Sequence, residues 1–339
     1  MKKILVSGAG GYIGCIMCEE LLKQNYKVIA LDRFFFGLDK VQHIDSENFS
    51  VVQDDIRYFD EALLKDVDIV IDLAGLSNDA TAEIDPVFTQ EINCNGSIRL
   101  AELAKRHNVA QYIYSSSASV YGAGQKKSLK ETDKINPLTD YSKSKVTVEN
   151  KLTKLQDKNF NITLLRNATV YGLSPRMRFD LAVNIMTYRA WKEGIIYVMG
   201  DGTQWRPFVH VKDVVKAFLL SIENKKAYGQ IFNVGSNEQN YTLKDLATTI
   251  SRHMKDIKVT FIPNNPDHRS YNLNFDKINN VLGFKPSFSI KDGVIEIEQA
   301  LIDGTLSDHD PTHHTLKWYN TLIKYSKIID QVKKYDRIL

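Results

Sequence analysis

The chain has 339 residues, 43% of them hydrophobic and 25% charged, a composition that excludes wholesale disorder, a collagen-like fibre and a disulfide scaffold. Its 44 Lys and Arg against 41 Asp and Glu leave a net charge of +3, too balanced for a non-specific nucleic-acid coat, and no run approaches the roughly 18 apolar residues of a membrane span. Three cysteines (Cys15, Cys18 and Cys94) in a chain of this length argue for a reducing compartment, and with no leader-like opening the expectation is a soluble cytoplasmic protein that engages neither nucleic acid nor membrane.

Residues 3–7 form a short apolar run ending in a glycine cluster, a helical pattern covers 12–24, and a second apolar run occupies 27–31, which reads as strand, turn, helix, strand. The alternation recurs. Residues 49–53 and 68–73 are strand-like, 85–108 has helical spacing, 111–115 is again a strand, 137–156 is helical and 162–165 extended. This pattern predicts an α/β fold, a Rossmann-type doubly wound parallel sheet with helices on both faces. After Gly172 the alternation lapses, until 208–222 and 230–234 read as a helix and a strand returning to the first sheet. The expected division is a cofactor lobe of residues 1–172 plus about 207–235, and a smaller interleaved C-terminal substrate lobe of 173–206 plus 236–339. Residues 307–315 look like a polar linker. The last amphipathic helix, with Leu316, Tyr319, Leu322, Ile323 and Ile329 at helical spacing, is expected to pack on the core, a partner contact being the alternative.

The turn after the first strand reads Ser7-Gly8-Ala9-Gly10-Gly11-Tyr12-Ile13-Gly14. Glycine at Gly8, Gly11 and Gly14 permits a tight turn, close approach of the backbone to a pyrophosphate and close helix packing, while the helix N-terminus that follows offers amide donors. Its context carries the assignment, because the loop follows a strand, opens a helix, and is followed by Asp32 at the end of the second run. Asp32 would accept hydrogen bonds from the adenosine ribose and repel a 2′-phosphate, which favours NAD over NADP. Arg33 beside it is the residue that would instead accommodate that phosphate.

Tyr141-Ser142-Lys143-Ser144-Lys145 places a tyrosine and a lysine four apart, on one helix face. A phenol is a poor base, with an ordinary pKa of about 10, but a neighbouring ammonium favours its phenolate. Tyr141 is therefore the candidate proton acceptor. The pair follows Tyr114-Ser115-Ser116-Ser117-Ala118-Ser119-Val120-Tyr121-Gly122 at the carboxyl end of a predicted strand, where open α/β sheets bind ligands.

With these residues in view, the chain from Lys3 to about Pro286 resembles the extended short-chain dehydrogenase/reductases that act on nucleotide-activated sugars. The glycine loop, Asp54-Asp55-Ile56-Arg57, Leu73-Ala74-Gly75, Asn93 with Asn95-Gly96, the serine run and the Tyr/Lys pair stand in that family's order. The resemblance implies that NAD is the cofactor, that Asp55 and Ile56 border its adenine, and that Leu73, Ala74 and Gly75 line its pyrophosphate and nicotinamide side. It extends the cofactor contacts to Tyr12, Ile13, Asn93 and Ser115, makes Ser117 the partner of the reacting hydroxyl, Tyr141 the acid/base and Lys145 the ligand of the nicotinamide ribose, and calls for no metal. A homodimer is also implied, pairing the helix at 85–108 with the Tyr141 helix and drawing apolar contacts from Ile98 and Val148.

On the substrate side, Arg166-Asn167-Ala168-Thr169-Val170-Tyr171-Gly172 ends a strand, and Ser174-Pro175-Arg176-Met177-Arg178-Phe179-Asp180 follows. Guanidinium groups bind phosphate bidentately, so Arg176 and Arg178 are either diphosphate or nucleobase contacts or a pair of surface arginines. Asn184, Arg206 and Arg269 match positions where nucleotide-sugar epimerases grip the diphosphate. His210 and Asp213 are read as fastening the two lobes. Where hexose 4-epimerases of the family commonly carry an amide, this chain has Thr169. Ser117-Ala118-Ser119 stands where 4,6-dehydratases need an Asp-Glu pair, and no cysteine after Cys94 supplies the Cys/His pair of reductive epimerases. The Ser-Pro-Arg-Met-Arg segment looks like that of a subset that includes C4 dehydrogenases of GDP-linked heptose.

The reading is an NAD-dependent 4-epimerase of a nucleotide-diphosphate sugar. A C4 dehydrogenase or 4-ketoreductase is the alternative, and a non-catalytic NAD-binding regulator on the same fold a remote one. Cys15 and Cys18 form a Cys-x-x-Cys but fall in the helix after the glycine loop, where small side chains pack on the sheet. His309, His313 and His314 lack the cysteine or paired carboxylates that would complete a metal site.

Overall fold

The structure is a computed structural model that describes residues 1–77, 85–124, 127–263, 269–334 and 337. Its strands are β1 (Lys3–Ser7), β2 (Lys27–Asp32), β3 (Phe49–Gln53), β4 (Ile69–Asp72), β5 (Gln111–Ser117), β6 (Asn161–Asn167), β7 (Thr169–Tyr171), β8 (Ile195–Met199), β9 (Trp205–His210), β10 (Gln230–Val234), β11 (Asn240–Thr242) and β12 (Lys258–Ile262). Seven of them form one sheet in the order β10-β6-β5-β4-β1-β2-β3, parallel at every pairing. The α/β Rossmann-type sheet expected from the alternation is the one observed. Its central strands β1, β2 and β4 are apolar over most of their length because both faces are covered. Ile4 and Val6 of β1 face the core that contains Ile16, Met17 and Leu21 of helix Gly14–Lys23 and Val214 and Phe218 of helix Val211–Ser221. Leu5 faces the opposite core, with Leu100 and Ala104 of helix Ser97–Arg106 and Val148 and Leu152 of helix Asp140–Leu155.

The chain reverses direction across the sheet between β1 and β4, and the crevice outside their carboxyl ends is where a doubly wound sheet binds its ligand. Two small sheets build over that crevice. β7 pairs parallel and β11 antiparallel with β9, while β12 pairs parallel with β8.

Several boundaries differ from the pattern. Residues 208–210 end β9 rather than begin a helix, since His210 caps helix Val211–Ser221 by accepting from the Lys212 N–H at 3.2 Å. The segment expected as one helix over 85–108 is broken: a π-helical turn, Gln90–Gly96, separates Pro86–Thr89 from Ser97–Arg106. Val148 is 0% exposed inside its own core, which withdraws it from any subunit contact. The last helix, Thr315–Val332, buries only Thr315, while Leu316, Tyr319 and Leu322 are half-covered and Ile323 and Ile329 face solvent, so it leans on the molecule by its first turns instead of packing along its length. No helix among the described residues is long and apolar enough to cross a membrane.

Candidate active site

The glycine loop is tight for a steric reason. Gly8 has φ of +71°, and a Cβ there would stand 2.7 Å from the Leu73 backbone; at Gly14 it would stand 2.1 Å from the Gly8 carbonyl oxygen. Helix Gly14–Lys23 then opens with no side-chain cap, its Cys15 N–H donating to the Gly11 carbonyl at 3.1 Å, and the positive end of its dipole suits an anion. Asp32 accepts from the Gly10 N–H at 3.1 Å and the Phe34 N–H at 2.6 Å. Burial raises its pKa, against the pull of those N–H groups and of Arg176. Arg33 is tied to Asp55, to which its Nη1 donates at 2.9 Å. Burial of Asp55 is outweighed by the hydrogen bonds of Arg57 and Arg33, which hold its carboxyl down at about 2.

At the other end of the crevice, β5 delivers the serine run and helix Asp140–Leu155 delivers Tyr141 in its first turn. That turn is fixed by a capping box: Thr139 Oγ1 accepts from the Ser142 N–H at 3.2 Å, and Ser142 Oγ accepts from the Thr139 N–H at 3.0 Å. Lys145, one turn on, donates from Nζ to the Ser115 carbonyl at 2.8 Å and lies 5.7 Å from the centre of the Tyr141 ring. Its burial pushes the pKa down to about 8, against the attraction of Asp72. The three serines part ways. Ser116 Oγ donates at 2.5 Å to Glu149, which is itself in a buried bidentate pair with Arg166, and Ser115 Oγ accepts from Asn167 Nδ2 at 3.0 Å. Among the described residues Ser117 Oγ accepts only from the Ser119 N–H, at 3.2 Å, which leaves its hydroxyl proton for a ligand.

One cavity of about 680 Å³ joins the two ends. Gly8, Gly11, Tyr12, Ile13, Gly14, Asp32, Arg33, Asp55, Ile56, Leu73, Ala74, Gly75, Ser115, Ser117, Tyr141 and Lys145 line it, and so do Thr169, Arg176, Arg178, Arg206 and Arg269. Two expected contacts stand behind the wall instead. Asn93 is carried by the π-helical turn and bonds both backbone groups of Leu76, while Asn184 bonds Gly172, Tyr12 and Arg178 and is 0% exposed. Both hold wall segments in place. Tyr12 joins them, since its hydroxyl donates to the Gly172 carbonyl at 2.5 Å. His210 pairs with Glu296 at 2.6 Å and Asp213 accepts from the Ser287 and Phe288 N–H groups, which fastens 210–213 to 287–296. Cys15 and Cys18 are buried free thiols, the first pushed up to about 12 by burial, which is unsuited to redox work.

Sequence pattern did not mark Phe36, Asp180, Arg189 and Tyr197 as site residues and gave Tyr319 a packing role, yet all five line the cavity. Asp180 had the plainest signal, two residues after Arg178, with which it pairs. Arg189, on helix Ala182–Glu193, lies 5.1 Å over the ring of Tyr197 on the following strand β8, a meeting set by how the chain turns between the two elements.

A parallel sheet with a glycine-turn anion site at its switch point and a Tyr/Lys pair at the next strand ends defines a nucleotide-cofactor enzyme of the short-chain dehydrogenase/reductase type. The chain belongs to the NAD dependent epimerase/dehydratase family, whose family model matches residues 4–235. It is similar to the uncharacterized UDP-glucose epimerase YtcB of Bacillus subtilis, at 31% identity over 314 residues, 86% of this chain and 95% of that one. Among solved structures, the UDP-glucuronic acid 4-epimerase of Bacillus cereus with UDP-glucuronic acid and NAD matches with a TM-score of 0.78 at 26% identity, over 89% of this chain and 99% of that one. The UDP-N-acetylglucosamine 4-epimerase of Methanobrevibacter ruminantium, in complex with UDP-N-acetylmuramic acid, gives 0.78 at 26% identity, over 95% and 99%.

NAD is the cofactor of this family, and the residues present fit it. The cavity spans from the uncapped helix N-terminus to Lys145, Asp32 retains lone pairs for ribose hydroxyls, and Arg33 is occupied elsewhere. Asn167 Oδ1 is buried without a partner among the described residues, on the same wall.

Proposed function

We infer that the protein is an NAD-dependent 4-epimerase of a nucleotide-diphosphate sugar, with a UDP-linked sugar the favoured substrate class. The observation that carries this is the single cavity in which Ser117, Tyr141 and Lys145 share a wall with the glycine loop and four arginines, Arg176, Arg178, Arg206 and Arg269. NAD, when bound, supplies a reversible acceptor for the C4 hydrogen. Tyr141 Oη takes the proton of the C4 hydroxyl and later returns it; Ser117 Oγ donates to the C4 oxygen as it becomes a ketone; the Lys145 ammonium stabilises the phenolate and holds a ribose hydroxyl. Thr169, Arg178, Arg206 and Arg269 hold the nucleotide while the 4-keto sugar turns its other face. Residues 1–172 with about 207–235 serve the cofactor, and 173–206 with 236–339 the sugar nucleotide.

The fate of the C4 hydrogen tests the reading. With UDP-sugars deuterated at C4, label retained at C4 of the epimer without added NAD is the expected result. Stoichiometric deuterated NADH and a released keto product would replace epimerase by C4 dehydrogenase. The proposal includes cytoplasmic residence and a homodimer through the helices at 97–106 and 140–155, beside which Val87 (64%) and Phe88 (49%) are exposed. A monomeric mass by sedimentation at micromolar concentration rejects the dimer.

A further inference from the structure

Arg176 and Arg178 leave one loop and find different partners. Arg178 pairs with Asp180 and has Tyr12 and Tyr141 among its charge neighbours, which sets it towards the reacting end. Arg176, which also has Arg178 and Asp180 among its charge neighbours, has a second set of partners. Its guanidinium lies 3.6 Å over the ring of Phe36, in the loop after β2, and its charge neighbours there include Cys15, in the first turn of helix Gly14–Lys23, and Asp32. It is 2% exposed, forms no ion pair among the described residues, and its Nε has no partner among them. Nη2 donates to Thr315 Oγ1 at 2.9 Å, and Nη1 reaches the Met177 carbonyl at a long 3.4 Å. A guanidinium that is buried, without a direct ion pair among the described residues and left with an unused donor beside a helix N-terminus that has no side-chain cap is half of an anion site; the helix end is the other half.

We infer that Arg176 binds the diphosphate of the NAD cofactor, not that of the substrate, and that the first turns of helix Thr315–Val332 are the clasp that positions it. Thr315 bridges Arg176 to Asp180 by donating to Oδ1 at 2.9 Å, Tyr319 meets Phe35 and Phe36 edge-on at 5.7 and 5.3 Å, and Trp318 Nε1 donates to the Phe35 carbonyl at 2.5 Å. The clasp thus closes the loop after β2 against Arg176 from a segment beyond the family-model match. Burial pushes the Arg176 pKa down to about 10, a cost that a bound diphosphate would relieve. The inference rests on the family's NAD dependence and not on the epimerase reading.

Calorimetric titration of purified, cofactor-stripped protein decides it, with ADP-ribose, adenosine and UDP as separate probes. For Arg176→Met the dissociation constant of ADP-ribose should rise about tenfold or more, while adenosine and UDP stay within about twofold. Thr315→Val should weaken ADP-ribose in the same direction by a smaller factor, and Arg176→Lys should recover part of the loss. Weakened UDP with unchanged ADP-ribose overturns the inference in favour of a substrate contact, and no change in either overturns it outright. If Arg176→Met shows no cooperative melting, Arg176→Lys and Thr315→Val carry the same comparison. The deuterium experiment above is indifferent to this outcome, so the two readings fail separately.

Discussion

Tyr141 is held by its helix, not by the ligand it serves, so removing only its hydroxyl should leave the cavity intact. Tyr141→Phe is expected to bind NAD as the parent does while turnover falls by about 10²–10⁴, measured as epimer formed per bound cofactor. Lys145 sets a pH limit. Because burial lowers its pKa to about 8, the ammonium that supports the phenolate is lost above that pH, and kcat/KM should decline there. Its effect on stability has the opposite sign. With a folded pKa below the ordinary 10.5, the native state binds the proton less tightly than the unfolded chain does, so this residue's contribution to stability grows as pH rises from about 8 towards 10.5. Cofactor choice turns on Asp55 as well as Asp32. The protein should bind NAD more tightly than NADP, and Asp55→Asn, which releases Arg33, should narrow that preference several-fold in fluorescence titrations, by roughly the strength of one charge-assisted contact. At this scale, sequence showed residue types and their order along the chain. It did not show direction: Arg176 and Arg178 are alike in the sequence, and only the packing of Phe36 and Thr315 sends one of them to the cofactor end.

Among the elements, several strands were legible almost residue by residue, because a short run rich in apolar and β-branched residues marks a strand whether it lies in the middle of the sheet or at its edge. Residues 3–7 and 49–53 match β1 and β3 at both ends. Helices were legible only where one face met the sheet. The π-helical turn at Gln90–Gly96 was not visible, since the wider turn serves a tertiary need: it carries Asn93, which holds the backbone of Leu76 at the cavity wall. The apolar spacing of the last helix misled for a related reason, as its stripe is covered only near Thr315, Leu316, Tyr319 and Leu322. The catalytic helix offers a test of how far local structure supports chemistry. Thr139→Ala removes the cap, and should lower unfolding stability by about 1 kcal/mol in urea titrations while reducing turnover, because the freed first turn is the one that bears Tyr141.

Across the whole molecule, the sheet closes late. β6 ends at Asn167, yet its outer neighbour β10 begins only at Gln230, pairing Thr163–Asn167 with Gln230–Val234. During synthesis the ribosome must add the intervening stretch at about 5–20 residues per second, so for some seconds the nascent chain displays β6, Asn-Ile-Thr-Leu-Leu-Arg-Asn, paired with β5 on one side and with the donors and acceptors of its other edge bare. A chain cut after Gly172 would keep that edge permanently. It should precipitate or pair with its own copies even though it contains the glycine loop, the serine run and the Tyr/Lys pair, and light scattering of the expressed fragment reads this directly. A trigger-type chaperone therefore has a defined window on this protein, opening when β6 leaves the exit tunnel and shutting when β10 arrives.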